Sequence, residues 1–188
     1  GAIGLSLAQT VLDTEIRAAI GAGGAISADS LAVRALTQLT GSAPTARSYA
    51  EAAGIGGLVS ANAAVSLAQS KLRVSAVLNS DLNITDSAEV LAGNTTRQEA
   101  KTLGVVGGLA AAGASTATAE AQSTVTAEVG SSAAGSVAGT LTVDAAGSDD
   151  THSSVVSGSG GIASGAAALA KTTNESTTLA QLAAPPTG

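Results

Sequence analysis

The sequence predicts an all-β fold, a β-solenoid built from units of about 51–60 residues with two or three coils each. Three observations predict it. A long internal repeat runs through the chain. Within each unit, apolar and polar residues alternate with a period of two. The composition lacks large side chains: among 188 residues there is no Phe, Trp, Met or Cys and one Tyr, yet 45% are hydrophobic. That aliphatic content is too high for a disordered chain. The missing aromatics and Met argue against a large irregular core.

The repeat is marked by glycine pairs followed by Leu or Ile, at Gly56-Gly57-Leu58, Gly107-Gly108-Leu109 and Gly160-Gly161-Ile162, spaced by 51 and 53 residues. After them come "LVSANAAVSLAQSKLRVSAVL", "LAAAGASTATAEAQSTVTAEV" and "IASGAAALAKTTNESTTLAQL". Each has an Ala-rich run, a polar knot (Gln69-Ser70, Gln122-Ser123, Asn174-Glu175-Ser176) and then alternating residues. Ser123–Val129 aligns without gaps on Ser176–Leu182. An earlier copy precedes these: "SLAQ" at Ser6–Gln9 recurs at Ser66–Gln69, and "EIRAAIGAGGAISADSLAVRAL" takes the place of "TVTAEVGSSAAGSVAGTLTVDAA". Spacing there is nearer 58 to 60, which implies a longer loop in the first copy. The copies fall at about 1–53, 54–104, 105–158 and, partial, 159–182. Residues 183–188, "AAPPTG", break strand and helix and read as a linker or terminal arm.

Alternation places Leu31, Val33, Leu82, Ile84, Leu141 and Val143 inward, with Arg34, Thr142 and Asp144 outward. The strands are expected to be short, punctuated at Gly21, Gly23-Gly24, Gly93-Asn94 and Gly147-Ser148. With roughly 17–26 residues per coil, a unit holds two or three coils around a thin tube that small aliphatics fill. A helical reading competes, because "ANAAVSLAQSKL" and "SGAAALAKT" are respectable helix formers and Asp86 or Ser87 could cap "DSAEVLAGNTTRQEAKTLG". The Gly and Thr content of the third copy opposes it.

The phrase "TVTAEVG" (Thr124–Gly130), repeated as "EIRAAIG" (Glu15–Gly21) and degenerately as "RVSAVLN" (Arg73–Asn79) and "TTLAQL" (Thr177–Leu182), resembles the unit of filamentous-haemagglutinin-like and leukotoxin-type adhesins, large repetitive exoproteins of Gram-negative bacteria. The similarity spans the chain to Leu182. It implies a right-handed β-helix, secretion across the outer membrane, and a role in adhesion or extracellular matrix. No secretion domain is recognisable here.

Chemistry is sparse. Eight Lys and Arg against fourteen Asp and Glu give a net charge of −6 with no basic cluster, which argues against nucleic acid as a partner. Zero Cys removes disulfides, thiol catalysis and Cys-based zinc sites. "GAIGLSLAQT" has no basic n-region, and no apolar run reaches the length of a membrane helix. The lone His152, beside Asp149 and Asp150 in "GSDDTHSS", lacks the ligand count of a metal or acid–base site and reads as a solvated loop between coils. The glycine-rich Gly54–Ala61 lacks the Lys-Ser/Thr ending of a phosphate loop, and its recurrence makes it structural. Sequons stand at Asn83, Asn94 and Asn174. Tyr49 reads as a loop residue or a cover for a coil edge. No catalytic, cofactor-binding or metal residue is assigned, and no cofactor is expected.

The function expected from these features is structural: a non-enzymatic segment of an extracellular filament or adhesin stalk, secreted or at the cell surface. Alternatives are a helical flagellin-like or surface-layer filament subunit and a carbohydrate-binding or carbohydrate-active β-helix, which the lack of aromatics disfavours. Partners expected are another copy joined end to end or the continuation of a longer chain, and a host-cell or matrix surface. "GAIGLSLAQT" and "STTLAQLAAPPTG" lie inside the pattern without charged caps, so a free monomer with two solvated ends is not expected.

Overall fold

The computed structural model describes residues 1–39 and 41–183. Among these there are ten strands and no helix: β1 (Ala2–Ile20), β2 (Ala25–Leu36), β3 (Ala46–Ile55), β4 (Val59–Leu78), β5 (Asp81–Gly107), β6 (Ala110–Val129), β7 (Gly135–Val137), β8 (Leu141–Gly160), β9 (Ala163–Asn174) and β10 (Thr177–Leu182). They form two sheets. Sheet A is ordered β1-β4-β6, with β9 and β10 both on the far side of β6. Sheet B has β5 at its centre, with β2 and β3 along one side and β7 and β8 along the other. Every pairing is parallel. The chain alternates between the sheets, with β2 and β3 together making one pass through sheet B, and β7 and β8 the last.

Strands this long follow from unbroken alternation. In β4 the rule is strict: Ser60, Asn62, Ala64, Ser66, Ala68, Ser70, Leu72, Val74, Ala76 and Leu78 are all buried, and their odd-numbered neighbours face out. A period of two has the same face inward however long it runs, so nothing in β4 or β5 forces a stop. The expected breaks at Gly93-Asn94 and Gly147-Ser148 lie inside β5 and β8, and the polar knots at Gln69-Ser70 and Gln122-Ser123 lie inside β4 and β6. Only Asn174-Glu175-Ser176 interrupts a strand, between β9 and β10. The helical reading is also overturned, since "ANAAVSLAQSKL" lies in β4, "DSAEVLAGNTTRQEAKTLG" in β5 and "SGAAALAKT" in β9.

Register shows what one repeat builds. Val59 pairs with Ala110 and Ala110 with Ala163; Ala88 pairs with Leu141. Each unit therefore lies directly against the next and passes once through each sheet, not through two or three coils. The interior is correspondingly a broad slab, not a thin tube: a strand of twenty residues spans about 65 Å, against about 4.8 Å gained per added strand. The ungapped match of Thr177–Leu182 on Thr124–Val129 is the observed register. "SLAQ" is not matched to its recurrence: Ser6 pairs with Ala64 and Ala8 with Ser66, two residues off, a slip that leaves every face unchanged. The longer loop of the first copy lies between β2 and β3. Leu36 pairs with Gly93 but Ala46 with Gln98, so nine residues (37–45) bridge what four (94–97) bridge in β5.

The glycine pairs stack. Gly56 N donates to Gly107 O at 2.9 Å and Gly108 N to Gly160 O at 3.0 Å. A Cβ on Gly161 would sit 2.0 Å from Gly108 O, and one on Gly108 2.7 Å from Gly56 O. Glycine is required here because backbones of successive units touch.

Between the sheets the core is divided along the strands. Near the Asn79 turn it is apolar: Leu72, Val74, Leu78, Leu82, Ile84, Val90 and Val125 pack together. Towards the glycine edge it is small and polar, with Ser60, Asn62, Ser66, Ser70, Gln98, Thr102 and Ser115 buried among alanines. Val33, Leu82 and Ile84 are buried as expected, and Arg34, Thr142 and Asp144 are exposed. Leu31 and Val143 are half-buried. Leu141 is a correction: it retains 37% of its surface because β8 is an outer strand with no neighbour beyond it among the described residues.

Val90→Asp should therefore cost about 3–5 kcal/mol, the penalty of an uncompensated buried charge, whereas Leu141→Asp should cost well under half of that. Urea unfolding followed by circular dichroism measures both; equal losses would mean that the inward face is misassigned.

Candidate functional site

The polar residues fall into an internal network and an external ladder. Strand β8 supplies both, because neighbouring residues point to opposite faces. Asp149 faces in, while Asp150 and His152 face out. The segment expected as a solvated loop is thus a strand, and its two carboxylates cannot converge on one ligand.

Inside, Asp149 is an acceptor hub. Its Oδ1 receives Asn94 Nδ2 at 2.9 Å, Ser123 Oγ at 3.0 Å and the Thr96 hydroxyl; Oδ2 receives the Ser176 hydroxyl. Asn94 Nδ2 also donates to Ser123 Oγ at 3.0 Å, and Asn94 Oδ1 accepts from Thr37 Oγ1 at 2.9 Å. Asn174 Nδ2 reaches Asp149 O at 3.1 Å. Two sequons are thereby placed. Asn94 is buried with its amide engaged, so the folded chain cannot carry a glycan there, whereas Asn83 is exposed on β5. The chemistry of the hub is satisfied by hydrogen bonds from neutral donors, the arrangement of a structural carboxylate.

Outside, on sheet B, charges alternate in sign from strand to strand. Arg47, Glu99 and His152 occupy equivalent positions on β3, β5 and β8. Arg47 Nε lies 3.3 Å from Glu99 Oε2, and Lys101 also contacts Glu99. Arg97 Nε donates to Asp150 Oδ2 at 2.9 Å, and its guanidinium also donates to Ser42 O at 3.2 Å, under the long loop of the first copy. Ser42, Pro44, Arg97, Glu99, Asp150 and His152 line a shallow cleft of about 280 Å³. Its carboxylates are paired with cations and not with each other, unlike the carboxylate pairs that cleave glycosidic bonds. The hydrogen bond from Lys101 holds the Glu99 carboxyl below its ordinary range; the positive charges of Lys101, Arg47 and His152 act the same way, against the opposing effect of burial. Tyr49 is not in a loop: it stands on β3, half-exposed, donating to Glu51 Oε2 at 3.2 Å.

Sequence reasoning missed the Asp149 hub and the charge ladder because most of their contacts join residues 25 to 57 positions apart. The repeat spacing was the available signal: residues one unit apart are strand neighbours.

Among the described residues no cluster of three or more His, Cys, Asp or Glu side chains could hold a metal ion, and no helix is long and apolar enough to cross a membrane. Compared with protein-family models, curated proteins and solved structures, the chain matches none.

Asp149→Ala should destabilise by about 1–3 kcal/mol, since it strands buried donors; a denaturation midpoint indistinguishable from wild type would refute the hub. Glu99, whose folded pKa is lowered, contributes stability fully above the ordinary carboxyl value near 4.5 and loses it as pH falls through the folded value. Glu99→Gln should flatten the acid limb of melting temperature against pH, measured from about pH 2 to pH 7.

Proposed function

We propose that the chain is a segment of a right-handed β-solenoid that serves as a mechanical element of an extracellular filament or adhesin stalk. The observation that carries the reading is the register. Every pairing joins a strand to the corresponding strand one unit away, so each unit adds one layer to each sheet and the stack can grow without changing its cross-section. A parallel stack resists bending through its backbone ladder and needs no reactive group. The haemagglutinin-like phrase at Thr124–Gly130, equivalent in register to Glu15–Gly21 and Thr177–Leu182, supports the adhesin reading and a secreted or surface location.

Growth of such a stack proceeds through its outer strands. Among the described residues, β1, β2 and β3 on one side, and β8, β9 and β10 on the other, have a strand neighbour on one flank only. Unpaired strand edges recruit further strands. Either another copy or a longer chain would continue the ladder there.

Duplicating residues 54–104 in place tests the reading. In a solenoid the inserted unit adds one strand to each sheet, raises the melting temperature and leaves the strand signal per residue unchanged. An insertion that aggregates or melts lower than wild type would contradict unit-by-unit stacking.

A further inference from the structure

The outer face of sheet A is apolar over one half of its length. On β1 the outward residues Ile3, Leu5 and Leu7 are 89%, 79% and 71% exposed. The register places them beside Ala61, Ala63 and Val65 on β4, then Ala112, Ala114 and Thr116 on β6, then Gly165, Ala167 and Leu169 on β9. The face thus has a ridge of large side chains on its β1 rim and, at the levels of Ile3 and Leu5, a trough of Ala and Gly beyond it. A Cβ at Gly165 would meet nothing within 4 Å, so the trough is open. Further along the strands the same face turns charged, with Asp13, Glu15 and Arg17 on β1 and Lys71 and Arg73 on β4. The interior behind the apolar half is the polar half of the core, so burial there is inverted relative to an ordinary sandwich. A contiguous apolar patch of this kind marks an interaction surface.

We infer that this half-face binds a second copy of the chain, sheet to sheet, about a two-fold axis that lies in the interface and runs along the strands between β4 and β6. Such a contact is isologous, and it is the aligned way of packing two sheets. It reverses the order of strands and keeps their levels. β1 then lies over β9 of the second copy, and β4 over its β6. Ile3 falls on the second copy's Gly165 and Leu5 on its Ala167, so the ridge of one copy fills the trough of the other. Leu7 meets Leu169, and Ala63 meets Ala114. Four strands by seven residues make a face of roughly 19 by 23 Å. The contact buries about 900 Å² in total, which is the size class of weak, reversible association. The net charge of −6 disfavours the alternative occupant, an anionic lipid surface. This lateral contact leaves the strand edges free, so it pairs stacks side by side and goes beyond end-to-end growth.

The absence of native Cys makes the test clean. Ala63→Cys sits beside the axis, so its counterpart in the second copy lies across the interface and about one strand spacing aside. Between copies joined edge to edge, the same two positions are four strands apart, roughly 19 Å, beyond the reach of a short bismaleimide. Asn83→Cys, exposed on the outer face of sheet B, is the control. The expected product is a covalent dimer formed several-fold more by Ala63→Cys than by Asn83→Cys. Adding Leu5→Lys with Leu7→Lys to Ala63→Cys should abolish the dimer, with Leu5→Ser as a milder second variant; circular dichroism checks that the strands persist. Cross-linking no greater than in the control, or undiminished by the Lys substitutions, would overturn the inference. Particle length by electron microscopy reports end-to-end growth separately, so either contact can fail alone.

Discussion

The structure depends on one constraint: each residue lies about one strand spacing from its equivalent in the next unit, held by parallel backbone hydrogen bonds. Whatever side chain a position carries must tolerate another like it at about 4.8 Å. Alanine, valine, serine and threonine do so on either face. Glycine does so where backbones touch, as at Gly108 and Gly161, where a Cβ would collide with a carbonyl of the neighbouring unit.

Charge meets the same constraint differently. Like charges repeated at a strand spacing repel, and the chain avoids this by changing sign between units. Arg47 stands beside Glu99, Glu15 beside Arg73, Asp13 beside Lys71 and Arg97 beside Asp150. Each of these pairs has at least one well-exposed side chain, and each contributes little alone. Their effect is on register, since a slip of one unit or one residue would set charges against like charges or turn them inward.

The slab is asymmetric along its strands. At the Asn79 end its interior is apolar and its exterior charged; at the glycine edge the interior holds Ser66, Ser70 and Gln98 while Ile3, Leu5, Leu7 and Ile55 face outward. The first buries most of the large aliphatic side chains, and hydrophobic burial there stabilises the chain. In the second, alanines cluster and Asn62 links strands, its amide donating to Ala52 O and Val105 O. Its exterior is suited to contact.

Local pattern alone determined that this chain forms strands, which face of most of them is buried, and how long a unit is. Val33, Leu82 and Ile84 were legible as core because a period of two survives any strand length. The match of Ser123–Val129 to Ser176–Leu182 was legible because parallel neighbours in register carry similar residues. Tertiary structure decided how many strands a unit makes. Gly93-Asn94 reads as a break in isolation, yet Asn94 stays in β5 because Ser123, Asp149 and Thr37 satisfy its side chain from other units. It likewise decided that Leu141 is open, since burial of an inward residue requires a further strand beside it, and that Asp149 and Asp150 act on opposite sides of a sheet. A sequence specifies which residues alternate; which neighbours complete them is fixed only when strands one unit apart come together.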